Sequence, residues 1–117
     1  MSYIDGFVVP VPKAHIAKYK DMANLAGKVW MEHGALSYVE AIADDAPYGE
    51  VTSFPRSVNQ KDDETVAFSY VTYKSREHRD EVLKKVMEDP RLQPQMQDKT
   101  FDMSRMIYGG FQAFLEL

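Results

Sequence analysis

The chain contains no cysteine. That excludes disulfides, thiolate metal sites and a cysteine nucleophile, and it fits a reducing compartment. There is no surplus of positive charge either: 14 Lys and Arg stand against 18 Asp and Glu, a formal net charge of -4. A chain that lives on nucleic acid needs basic residues to neutralise phosphate, and the longest basic cluster here is Lys84-Lys85. No apolar run approaches the roughly 18 residues of a membrane span. The N-terminal apolar run has no basic region before it and is interrupted by Asp5, Pro10 and Pro12, so it does not read as a signal peptide. The expectation is a cytoplasmic protein that engages neither membrane nor nucleic acid. The three histidines form no His-x-His or His-x-x-x-His pair, so a transition-metal site has little support. Gly109-Gly110 lacks the Lys-Ser/Thr of a phosphate loop. No metal and no cofactor are expected.

What the chain does have is a globular composition, 44% apolar and 12% aromatic over 117 residues. That length makes one domain spanning 1–117, because two halves would be too small to bury cores. Residues Tyr3 to Val11 read as a strand that ends at Pro10 and Pro12. From Ala14 to His33 the period turns helical, with Tyr19, Met22, Ala23, Ala26, Val29 and Trp30 on one stripe and Gly34 as a left-handed cap. Leu36 to Ala43 is a second strand. Val51 to Val58 is an edge strand or a single helical turn, with Pro55 arguing against a central strand. Thr65 to Tyr73 is a third strand. Ser75 caps a second helix that carries Val82, Leu83, Val86 and Met87. Asp89-Pro90 restarts a short helix, which Pro94 keeps short, and a last strand begins near Arg105 and reaches Phe111 or beyond.

The order β-α-β-β-α-β is that of the ferredoxin-like split βαβ, an α+β fold with four antiparallel strands and both helices on one face. In the first strand Ile4 and Val8 oppose Tyr3, Phe7 and Val9. In the third, Val66, Phe68 and Tyr70 oppose Ala67, Val71 and Tyr73. Both faces are apolar, so the face away from the helices needs a cover of its own. Sheet-to-sheet pairing of two copies supplies one and gives a dimeric α/β barrel. The rival cover is the chain's own Val51 to Val58 segment and C-terminal tail.

Candidate chemistry concentrates at few residues. His33 ends the apolar stripe of the first helix, as a general base or ligand, or as a helix-end group that bonds the last carbonyls. Glu40 with Asp44-Asp45 is the densest acidic group at a strand end, but neighbouring strand side chains point apart, and Asx-turn chemistry before Pro47 explains the pair. Asp5 is a carboxylate in the middle of an apolar strand, costly unless paired. Arg105 or a lysine is its expected partner, with Tyr108 or Tyr3 as a hydrogen-bond donor to a ligand in a sheet-face pocket. The same residues also fit a buried ion pair that sets strand register or a dimer interface. The seven methionines are scattered along the chain and supply adaptable apolar surface.

Several stretches carry a family resemblance that covers nearly the whole chain. They are Tyr3-Ile4-Asp5-Gly6-Phe7-Val8-Val9-Pro10-Val11-Pro12, His33-Gly34-Ala35-Leu36 with Glu40, Asp44-Asp45-Ala46-Pro47-Tyr48-Gly49 and Asp89-Pro90-Arg91. The most specific is Phe101-Asp102 with Arg105-Met106-Ile107-Tyr108-Gly109-Gly110-Phe111. Here the chain resembles the YbaA-like bacterial proteins, a domain-of-unknown-function family in the dimeric α/β-barrel group. It departs from that pattern at Met103-Ser104 and at Pro94. The resemblance implies the ferredoxin-like fold and a homodimer through the sheet face. It carries no activity over to this chain. The functional expectation is therefore a small dimeric protein that binds a small molecule or a protein partner. The alternative is a cofactor-independent oxygenase-like enzyme using the sheet-face pocket, by analogy of fold alone.

Overall fold

The computed structural model describes all residues, 1–117. Four strands, β1 (Tyr3–Pro12), β2 (Ser37–Ile42), β3 (Glu64–Tyr73) and β4 (Ile107–Gln112), form one antiparallel sheet in the order β2-β3-β1-β4. Two long helices, α1 (Ile16–Glu32) and α3 (Arg76–Glu88), cover one face, with the single turns α2 (Phe54–Ser57) and α4 (Gln93–Met96) between elements. This is the expected α+β, ferredoxin-like arrangement. The two terminal strands pair with each other, β1 inside the sheet and β4 at its edge.

The strand β1 runs on through both prolines, where the sequence suggested it would stop. Pairing with β4 ends at Val8, while pairing with β3 continues to Pro12. The Ser2 carbonyl accepts from Ala113 on the β4 side, and the Lys13 N–H donates to Asp63 on the β3 side. Alternation then turns Pro10 and Pro12 toward the flank that β4 has already left, so no ladder bond is lost.

The helix ends follow their local chemistry. The α1 helix closes on Gly34 at φ 111°, with Gly34 N–H donating to Met31 and Ala35 N–H to Trp30, the paired bonds of a Schellman cap. Ser75 Oγ accepts from His78 N–H to start α3, and Asp89 Oδ1 accepts from Arg91 N–H to start the next turn. Ser53 does the same for α2, with Pro55 inside its first turn.

The main core lies between helices and sheet. Val29, Val71, Tyr73, Val82 and Val86 are essentially inaccessible there, and Val11, Tyr19 and Phe101 close the other end. Each such valine contributes about 1.5–3 kcal/mol by leaving water. On the opposite face, α2 brings Val58 over Val8 and Val66. The Val51 to Val58 segment thus covers one end of that face. Phe68 at 43%, Ile107 at 44% and Phe111 at 64% exposure remain open on the rest. The C-terminal tail does not cover them: Phe114 and Leu117 stay exposed, and Glu116 instead accepts from the N–H of Ser2.

Candidate functional site

Between the sheet and the arc of α1, α3 and α4 lies a cavity of about 360 Å³. The strands set its floor, because Asp5, Phe7 and Val9 on β1 and Ser69 on β3 all point to the helix side. Ala26 and Trp30 on α1 face Leu83 and Met87 on α3 across it. Five of the seven methionines, scattered in sequence, converge here: Met22, Met87, Met96, Met103 and Met106. Unbranched thioether side chains make walls that adapt to a guest. Two carboxylates, Asp5 and Glu40, line the cavity, and no Lys, Arg or His does.

Asp5 is 3% exposed. Arg79 Nη1 donates to its Oδ1 at 3.0 Å, and Arg79 Nη2 donates to the Tyr3 hydroxyl at 3.3 Å. The guanidinium also lies 5.0 Å above the Tyr3 ring. The second oxygen, Asp5 Oδ2, is buried with no hydrogen-bond partner. Arg79 Nε lies 2.9 Å from Asp80 Oδ1 but outside hydrogen-bond geometry, so it too is unsatisfied. Burial pushes the Asp5 carboxyl above its ordinary pKa, and Arg79, then the nearby Tyr73 hydroxyl, only partly counteract it. Trp30 Nε1 donates to that Tyr73 hydroxyl at 3.1 Å. An incompletely satisfied buried carboxylate beside a cavity is the group there that demands an explanation.

Glu40 behaves differently. Tyr19 donates to its Oε1 at 2.7 Å and Tyr38 to its Oε2 at 2.8 Å. Burial first, and then the Glu40 charge, drive both phenols well above their ordinary pKa. At neutral pH they are donors to Glu40 and not bases. The three side chains form a wall between the cavity and an outer groove of about 750 Å³ running along α1 and the β2 edge.

The fold brings Asp5, Tyr3, Tyr108 and Glu40 to the helix side of the sheet. Asp5, Glu40 and Tyr108 line the cavity, and Tyr108 stands at its rim, stacked on Phe7 at 6.4 Å between ring centres and 73% exposed. These residues therefore do not face a space between two stacked sheets. Arg105 is not the partner of Asp5. It pairs with Glu64 at the start of β3, Nη2 to Oε2 at 2.6 Å and Nη1 to Oε1 at 2.8 Å, and also donates to the carbonyls of Val58 and Asn59. His33 is remote from both pairs; its Nε2 lies 2.9 Å from Asp89 Oδ2. Asp44 and Asp45 are exposed in the loop after β2. No group of three or more His, Asp or Glu side chains is placed to hold a metal ion.

Arg79, Ser69, Trp30 and the methionine walls went unread as site residues. Arg79 did leave a signal. It stands at the i, i+3, i+4, i+7 spacing of Val82, Leu83 and Val86, so a cation sits on the buried stripe of α3, and such a cation implies a buried acid. The methionines left none, because their meeting depends on how α4 and the turn at Met103–Arg105 return to the sheet.

Comparison with known proteins agrees with this architecture. A de novo designed protein, Foldit4, superposes with a TM-score of 0.54 over 97% of this chain and 99% of its own, at 6% identity, which speaks for the fold alone. The uncharacterized protein YbaA of Escherichia coli strain K12 is 43% identical over 116 residues, 99% of each chain, and the YbaA of Shigella flexneri matches equally. The model of the family described as "Protein of unknown function (DUF1428)" matches residues 2–103. With a match of that extent and a whole-length relative at that identity, the chain belongs to the DUF1428 family, alongside YbaA.

Proposed function

We propose that this protein is a homodimer that binds an apolar small molecule in the cavity between each sheet and its helices. The observation that carries the binding reading is a cavity of about 360 Å³ within the size range of small-molecule sites, apolar except for a few converging polar groups. Tyr19, Tyr38 and Glu40 are engaged with one another, which favours binding over an oxygenase-like reaction that would use those three groups.

The dimer reading rests on the opposite face. Ile4, Val39, Phe68, Tyr70, Ile107 and Phe111 share it. The one charged side chain at that parity, Glu64, is already buried against Arg105. A large apolar face without an unpaired charge is compatible with itself across a two-fold axis. Pairing there leaves the helix-side cavity of each protomer intact.

Titration with toluene, followed by methionine-methyl NMR, tests the binding. The expected result is shifts at Met22, Met87, Met96, Met103 and Met106, with exposed Met1 unmoved, and loss of those shifts in Ala26→Phe, which fills the cavity. Light scattering should give twice the protomer mass of 13.4 kDa, falling to one protomer in Phe68→Glu. Toluene shifts absent from all five methyls, or a monomer at high concentration, contradict the respective reading.

A further inference from the structure

Resting on that cavity reading, we infer that Asp5 is the polar anchor of the site and that the ligand is a neutral or cationic, ring-sized apolar molecule carrying an N–H or O–H donor. Asp5 Oδ1 is engaged by Arg79, whereas Oδ2 makes no hydrogen bond, the Tyr73 hydroxyl lying near the carboxylate without reaching bonding geometry, and Asp5 lines the cavity. A buried carboxylate oxygen accepts hydrogen bonds and, while ionised, donates none. Leaving it unmade costs more than the average worth of a bond, so a guest that supplies the donor gains more than one that only fills space. The other carboxylate in the walls is less available, since both Glu40 oxygens already accept from tyrosines.

The charge of the lining sets the other half of the selectivity. Asp5 and Glu40 are both acids, and no cation lines the cavity. Arg79 reaches Asp5 and Tyr3 from α3 and is not part of the lining. A carboxylate or phosphate ligand would therefore lose its hydration without gaining a counter-charge. Phe7, Trp30, Tyr38 and Tyr108 around the same space offer ring faces and edges to a flat guest.

Three probes of similar size separate these terms: indole, which carries an N–H; benzofuran, its isostere without a donor; and benzoate, an anion. Methionine-methyl NMR of the intact protein should show indole binding about tenfold more tightly than benzofuran, as one hydrogen bond to a charged acceptor implies. Benzoate should leave the five methyls unmoved. In Asp5→Asn the carboxamide keeps an acceptor for Arg79 and turns an N–H₂ toward the guest, so the indole preference should vanish. Where Asp5→Asn fails to fold, the indole-to-benzofuran ratio in the parent protein decides alone. Equal affinities for indole and benzofuran, or benzoate binding as tightly as indole, overturn the inference while leaving the cavity reading standing. Failure of indole, benzofuran and toluene alike overturns both.

Discussion

Two arginine–carboxylate pairs are buried in this small domain, and they are finished to different degrees. At the start of β3, Arg105 meets Glu64 through Nη1 and Nη2, gains Asp102 through Nε at 2.8 Å, and shares Nη1 with the carbonyls of Val58 and Asn59. The Lys61 N–H completes the set on Glu64 at 2.8 Å. At the middle of β1, Arg79 meets Asp5 through one nitrogen, and one atom on each partner is left without a bond. The titration of the acids mirrors this. Hydrogen bonds from Arg105 hold Glu64 below the ordinary value, while burial lifts Asp5 above it. A pair whose every nitrogen and oxygen is bonded can only hold chain segments together. A pair with an orphan oxygen beside an apolar cavity has capacity left for a guest.

The largest effect expected from this contrast is on stability. Glu64→Gln leaves the Arg105 charge buried without its main counter-ion, and should cost about 3 kcal/mol in urea unfolding. Asp5→Asn should cost less, because the site already disfavours the charge that is removed and Arg79 keeps Asp80 2.9 Å away. Equal losses would erase the distinction between the two pairs. A middle effect is expected at Gly110. A Cβ there would lie 2.7 Å from Cε2 and 2.8 Å from Cζ of Tyr3, nearer than packed carbon atoms sit. Gly110→Ala must displace the Tyr3 ring and with it the Arg79 contact, at about 2 kcal/mol. It should weaken indole binding while leaving the Glu64–Arg105 pair intact, read as an unchanged Arg105 side-chain NMR signal.

The smallest effect is on pH dependence, and the two pairs should run in opposite directions. The folded pKa of Asp5 is raised above 3.8, so its contribution is fully present below pH 3.8 and is lost as pH rises through the folded value. The folded pKa of Glu64 is lowered below 4.5, so its contribution is present above pH 4.5 and is lost as pH falls through the folded value. The parent protein should therefore gain on Asp5→Asn as pH falls from 7 toward 4. No change in that difference across the range would mean that Asp5 titrates as it does in the unfolded chain.

Most of the fold was legible because it is written locally. The α1 stripe, the Gly34 cap, Ser75 and Asp89-Pro90 all act within a few residues of themselves, and each stands where its chemistry put it. The prolines of β1 misled because their cost depends on whether β4 extends past Val8, which is a property of the sheet and not of the segment. The site was legible only in part for the same reason. Asp5 announced itself as an acid in an apolar strand. Its partner lies 74 residues away on a helix face, and nearness in the chain favoured neither Arg79 nor Arg105. The cavity itself is a gap between elements, and no residue pattern encodes a gap.

The most direct measurement is a carboxyl-carbon NMR titration that follows Asp5 and Glu64 in the same sample, with and without indole. Asp5 should titrate above 3.8 and Glu64 below 4.5, with only the Asp5 curve moving when indole is added. An Asp5 curve at or below 3.8, or an indole response at Glu64 and none at Asp5, would contradict the contrast between the two pairs.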